Sequence, residues 1–160
     1  MDVLALDSVD RALLEVLQQE GRITNAELAT RVQLSPSACL RRVRALEKRG
    51  AIEGYRAVLA PRRIGLGLTV FVEIKVERHS TNRAASFEEA FASMPEVVSA
   101  HIVSGDADFL LEVVVPDLEA YQQFLLGTLL QLPGLTDVRS NMAIKTLRCR
   151  EPLPLNHLES

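Results

Sequence analysis

The stretch TNAELATRVQLSPSACLRRVRALEKR, from Thr24 to Arg49, decides the fold of the first part of the chain. It opens with Thr24 and Glu27 three residues apart, a capping-box pattern in which each side chain satisfies the other's backbone amide at a helix start. The short helix that follows carries Ala26, Leu28, Ala29 and Val32 as its expected buried set. After Gln33-Leu34, Ser35-Pro36 starts a new helix, Ser as N-cap and Pro where its missing N–H costs nothing. That helix runs to Arg49, with Leu40, Val43 and Leu46 expected inward and Gly50 as its stop. Upstream, Val9, Ala12, Leu13, Val16 and Leu17 mark one face of an earlier helix, with Asp7 as its N-cap and Gly21 expected in the left-handed position beyond its last turn. Two short helices joined by a tight turn and preceded by a third make a helix-turn-helix arrangement.

The charge distribution gives that arrangement a surface. Residues 22–63 carry 10 basic and 3 acidic side chains, whereas residues 64–160 carry 7 and 13. On the third helix Arg41, Arg42, Arg44, Lys48 and Arg49 stand against one acid, Glu47. With Leu40, Val43 and Leu46 inward, Ser37, Arg41, Arg44 and Lys48 fall on the outward arc, flanked by Ala38 and Arg42. Arginine is well shaped for a bidentate contact to guanine or phosphate. Ser35, Ser37, Ala38 and Arg41, near the N-terminal end, and Arg42, Arg44 and Lys48 further along are therefore the candidate DNA-binding residues. A solvated helix also carries Lys and Arg for solubility alone; the basic face acquires meaning from the capped helix and tight turn before it. The pI of 5.7 makes the whole chain a poor electrostatic glue, so specific binding calls for two basic heads on a two-part operator, hence a dimer.

Beyond Pro61 the pattern changes. Ile52–Leu59 reads as a short strand and Pro61–Gly67 as a boundary. Then Val70, Val72, Ile74 and Val76 alternate with Phe71, Glu73, Lys75 and Glu77, a half-buried strand. Ala84, Phe87, Phe91 and Met94 recur at helical spacing. Strands follow at Val97–Ser104 and Phe109–Val115, a helix with Leu118, Tyr121, Leu125 and Leu129 on one stripe, and a last strand at Val138–Leu147. The order β-α-β-β-α-β is a ferredoxin-like split βαβ unit.

The turn Gly105-Asp106-Ala107-Asp108 joins two apolar strands. Its paired carboxylates can bind a cation, cap backbone amides, or receive an ammonium. No further acid or His lies at ligand spacing, so no metal site is expected. An Asx-type turn and a small-molecule pocket remain. In the latter, amides around Gly105 hold a carboxylate and Asp106 or Asp108 an ammonium, the chemistry of a free amino acid.

Composition excludes whole classes. At 160 residues, with 48% apolar and 24% charged side chains, the chain is one ordinary domain or two small ones and is not disordered. No apolar run reaches a membrane span, and Met1-Asp2-Val3 begins no signal peptide, so a cytoplasmic protein without a membrane partner is expected. Cys39 and Cys149 make neither a disulfide framework nor a C-x-x-C site.

Taken in order, several stretches carry a resemblance. They are Leu6-Asp7 through Gly21-Arg22, Ser35-Pro36 through Glu47, Gly50 through Tyr55, Val103 through Leu111, Val115-Pro116-Asp117 and Leu132 through Leu135. The chain resembles the leucine-responsive regulatory protein/AsnC (feast/famine) transcriptional regulators over nearly its full length. The resemblance implies an α+β chain: a winged-helix-like helix-turn-helix domain over 1–52, a linker strand and hinge over 53–67, and a βαββαβ effector-sensing and oligomerisation domain over 68–160. It implies an amino-acid effector held between dimers near the Gly105–Asp108 turn, and a homodimer assembling to a tetramer or octamer. By it, Ile102, Gly105, Asp106, Asp108, Leu118, Asn141, Met142 and Ala143 match effector-response positions. Ala107 and Asn141 stand where the family often has aromatic residues, so leucine is not assumed as the ligand. Two alternatives from other classes are an effector-independent architectural DNA binder and a small ferredoxin-like enzyme. Against the enzyme, the sequence offers no nucleophile–base pair, metal cluster or Gly-rich phosphate loop, so no catalytic residue, cofactor or metal ligand is assigned.

Overall fold

The computed structural model describes residues 4–77, 83–149 and 151–158. The chain divides into two units: 1–58 together with 148–160, and 59–147. The sequence division placed everything after residue 67 in the second unit. The C-terminal segment instead returns to the first, where the Gln18 side-chain amide pairs with both backbone groups of Leu153. Leu153 N–H donates to Gln18 Oε1 (2.6 Å), and Gln18 Nε2 donates to the Leu153 carbonyl (3.3 Å).

In the first unit, α1 spans Ser8–Gln19, α2 Asn25–Arg31 and α3 Pro36–Lys48. Each N-terminus is capped as the sequence requires. Asp7 and Asp10 form a capping box on α1, Thr24 and Glu27 one on α2, and Ser35 Oγ accepts the Ala38 amide on α3. Each cap is worth about 1 kcal/mol. Between α2 and α3 the chain makes a Schellman turn: Leu34 N–H donates to Ala29 O (2.9 Å) and Gln33 N–H to Thr30 O (3.3 Å). Gln33 takes the left-handed conformation this turn needs, φ 56°, the one non-glycine to do so among the described residues. Gly50 serves the same role after α3, at φ 75°. Gly21, expected in that role after α1, is not left-handed; it lies beside the Tyr55 ring, whose Cδ1 would stand in ordinary contact, 3.6 Å, with a Cβ there.

The core of this unit is Leu13, Leu28, Ala29, Cys39 and Leu46. Two expectations shift. Ala26 is exposed, and Leu40 is 39% exposed while Cys39 is fully buried. The inward line of α3 is thus Cys39, Val43 and Leu46, with Cys39 in place of Leu40. Residues 52–59, expected as a strand, form none among the described residues, because no neighbouring strand pairs with their backbone.

The second unit contains β1 (Leu68–Val76), α4 (Arg83–Ala92), β2 (Val97–Ile102), β3 (Phe109–Val115), α5 (Leu118–Gly127) and β4 (Leu135–Met142). The sheet order is β2-β3-β1-β4, antiparallel throughout, the expected βαββαβ arrangement. Alternation does its work: Val70, Val72 and Ile74 of β1 and Phe109, Leu111, Val113 and Val115 of β3 are buried against Phe87 and Phe91 of α4 and Tyr121 and Phe124 of α5. Phe87, Phe91 and Phe109 pack ring on ring at centroid distances of 5.3–5.8 Å. The Ala84 side chain, first of the expected α4 stripe, lies outside the described set. Phe71, Glu73 and Lys75 point to the other face, which no element of this unit covers among the described residues. Two strand bounds differ from expectation. β2 stops at Ile102, where the chain turns toward Gly105. β4 starts at Leu135, opposite Val76 across a bulge, and ends opposite Val70, near the start of β1.

Gln33 is exposed, so replacing it loses no core packing. Gln33→Gly is expected to stabilise the first unit by about 0.5–1 kcal/mol by relieving the left-handed penalty, net of glycine's added chain entropy. Gln33→Val is expected to destabilise it. Thermal melts of the two variants check the pair.

Candidate functional site

At about 100° per residue, Ser37, Arg41, Arg44 and Lys48 project from α3 on the side opposite Cys39 and Leu46. All four are exposed. Among the described residues, Arg41, Arg44 and Lys48 have no hydrogen-bond or ion-pair partner, so their charges are free for a polyanion. Ser37 is within 3.3 Å of Ser35, its Oγ against the capping Oγ. Ala38 is half-buried at the flank. The angle between α2 and α3 is held by a bond that no local sequence signal announces: Asn25 Nδ2 donates to the Pro36 carbonyl at 2.9 Å.

Arg42, expected beside this arc, is committed elsewhere. Its Nη1 donates to Asp7 Oδ2 and Asp10 Oδ1, both at 2.8 Å. Those carboxylates are the capping box of α1, and Asp10 is the one buried charged residue of the described chain, 7% exposed. Arg49 also turns to this side, Nη2 donating to the Ala5 carbonyl at 2.6 Å. The five cations of the helix therefore divide by angle: Arg41, Arg44 and Lys48 face out, while Arg42 and Arg49 tie α3 to α1 and the residues before it. The Asp10 amide first, against an opposing effect of burial and with the Arg42 guanidinium adding to it, holds the Asp7 carboxyl below the usual aspartate value.

In the second unit, Gly105 at φ 118° allows the turn between β2 and β3. Val103 N–H donates to the Asp108 carbonyl (3.0 Å) and Asp108 N–H to the Ile74 carbonyl (2.9 Å). The Asp108 carboxylate is used by the fold, since Oδ2 accepts the Val76 amide at 2.9 Å. Asp106 is exposed, and Ile102, 66% exposed, borders a groove of about 470 Å³ between α4 and β2 lined by Glu88, Phe91 and Phe109 among others. Among the described residues no group of three or more His, Cys, Asp or Glu could hold a metal ion.

The other expected effector residues lie at the far end of the sheet. Met142 pairs with Val70, Ala143 N–H donates to the Thr69 carbonyl (2.9 Å), and Asn141 pairs with Phe71 while its Nδ2 donates to Glu73 (3.2 Å). Leu118, 58% exposed, follows Val115, which pairs with Leu68. From Val70 to Val76 the strand advances about 20 Å. One chain thus gathers Ile102, Gly105, Asp106 and Asp108 around the turn and leaves Asn141, Met142 and Ala143 toward the other end of β1, with Leu118 opening the helix on the face opposite Asn141, so it does not close all of them round one small molecule.

Arg42→Ala is expected to destabilise the first unit by about 1–3 kcal/mol, because Asp10 is left without its cation. Arg41→Ala is expected to leave the melt unchanged. Asp7, with its lowered carboxyl pKa, contributes stability above the ordinary aspartate value that is lost as pH falls through the folded-state value. The wild-type melting temperature should therefore drop more steeply below about pH 4 than that of Asp7→Asn, measured by circular dichroism across pH.

Comparison with known proteins matches both parts of the chain. A winged helix-turn-helix DNA-binding family matches residues 6–53, and the Lrp/AsnC ligand binding domain matches residues 69–153. The leucine-responsive regulatory proteins of Escherichia coli K12 and Klebsiella pneumoniae are each 45% identical over 143 residues, covering 89% of this chain and 87% of theirs. Among solved structures, a transcriptional regulator of Neisseria meningitidis in complex with L-Met superposes with TM-score 0.91 at 39% identity, covering 96% of this chain and 99% of that one. An AsnC family regulator of Agrobacterium tumefaciens gives 0.90 at 36%, covering 95% and 99%. With a DNA-binding helix-turn-helix and a ligand-binding sheet domain both matched in order, the chain belongs to the Lrp/AsnC family of transcriptional regulators.

Proposed function

We propose that this regulator binds a two-part operator through Ser37, Arg41, Arg44 and Lys48, and that a free amino acid biases its DNA affinity or assembly by binding between copies of the chain in the cytoplasm. The observation that carries the reading is the split of the effector positions between the two ends of β1. A site needing both groups is completed when one copy supplies the Gly105–Asp108 end and another the Leu118–Ala143 end. Such a site requires at least a dimer and suits a tetramer or octamer. A ligand there stabilises whichever assembly it fits better, and this shifts the DNA-binding population. The Neisseria regulator's complex with L-Met supports an amino acid as the ligand class. No catalytic role is assigned to any residue.

The engagement of Asp108 by the Val76 amide favours a second reading, an effector-independent architectural DNA binder, in which the acidic turn serves only the fold. Anisotropy on DNA from upstream of its own gene, at fixed salt, with each of the twenty amino acids, separates the two. One amino acid shifting the isotherm several-fold supports the effector reading; no shift supports the architectural one. Arg41→Ala should weaken binding by about tenfold without changing oligomer size. Asp108→Asn keeps an oxygen for the Val76 amide while removing the charge. It is expected to abolish the amino-acid response and preserve basal DNA binding, and a retained response would remove Asp108 from the pocket.

A further inference from the structure

Glu47 is the one acidic side chain on α3 and neighbours two of its three outward cations, Arg44 three residues before it and Lys48 one after. By helical angle it sits at the edge of the basic arc, on the flank away from Arg42 and Arg49. A carboxylate free at that edge would pair with Arg44 one turn back or add a repulsive charge beside the phosphates, and either would weaken the arc's attraction for DNA. It is not free: Tyr55 donates its hydroxyl to Glu47 Oε1 at 3.1 Å. Tyr55 is itself placed, half-exposed, with its ring against Gly21. Partial burial first, and the Glu47 carboxylate after it, push the Tyr55 phenol up, so it remains a donor at neutral pH.

We propose that Tyr55 is a positioning residue for DNA binding: its hydroxyl holds the recognition helix's only carboxylate on the flank, clear of the arc formed by Arg41, Arg44 and Lys48. This rests on the DNA reading of that arc. The residue lies outside the helix-turn-helix proper, in the segment that leads toward β1.

The test is a double-mutant cycle read by fluorescence anisotropy on the same upstream duplex across a salt series, with oligomer size and thermal melts monitored. Tyr55→Phe keeps the ring against Gly21 and removes the hydroxyl. It is expected to weaken binding about fivefold at low salt, with the loss shrinking as salt rises. Glu47→Gln alone should change affinity by less than about twofold, and added to Tyr55→Phe it should restore wild-type binding. Should Tyr55→Phe fail to fold, Glu47→Asp, one methylene too short to reach the hydroxyl, is expected to show the same loss. Unchanged affinity in these variants overturns the proposal, as does a double variant that stays as weak as Tyr55→Phe, which would mean that the ring's packing alone matters. Arg41→Ala separates this from failure of the DNA reading: if it too leaves binding unchanged, the arc is not the DNA surface and both fall together.

Discussion

One guanidinium nitrogen, Nη1 of Arg42, joins the capping box of α1 to the middle of α3, and the presentation of the recognition helix depends on it. The bond is costly to assemble, since Asp10 must leave water, and its attraction only offsets that cost when the geometry is good. What the arrangement secures is orientation. An arginine held by two carboxylates at 2.8 Å fixes the rotation of α3 about its own axis, and that rotation decides which cations face out. With Arg49 tied to Ala5 on the same side, three cations remain on the opposite surface. The helix thus sorts five like charges into fasteners and free charges by angle alone.

The sheet unit achieves order differently. Its residues alternate, so one face buries aliphatic and aromatic side chains under α4 and α5, and the other, with Phe71 between Glu112 and Asn141, stays uncovered within the unit. The fold uses polar groups to end strands where no ladder continues. Asp108 does so for β1 through its carboxylate. A carboxylate employed in this way has less capacity left for a ligand, a constraint on any chemistry assigned to the turn.

Much of this was legible in the residue pattern. Period-2 alternation in residues 70–76 and the Thr24–Glu27 and Ser35–Pro36 signals depend on neighbours in sequence, and the structure follows them. Long-range partners were not legible. Nothing near Arg42 in sequence distinguishes it from Arg41 or Arg44; the difference arises from Asp7 and Asp10, more than thirty residues away. On α3 Val43 and Leu46 face inward as expected, but Cys39 rather than Leu40 completes the buried line, a choice between adjacent residues that periodicity does not make. The strand expected at 52–59 failed for a related reason: β propensity does not supply a partner. The candidate effector positions toward both ends of β1 come from the resemblance, and their separation shows only when the register is known.

The pairing of Gln18 with Leu153 has a temporal meaning as well as a spatial one. A ribosome releases α1 early and Leu153 only after the whole sheet unit has been made. The helical unit can collapse as soon as Gly50 has emerged, yet its last contacts wait until the chain has travelled out through β1 to β4 and come back. The first unit to be synthesised is thus the last to be finished, and its completion reports that the rest of the chain has been made.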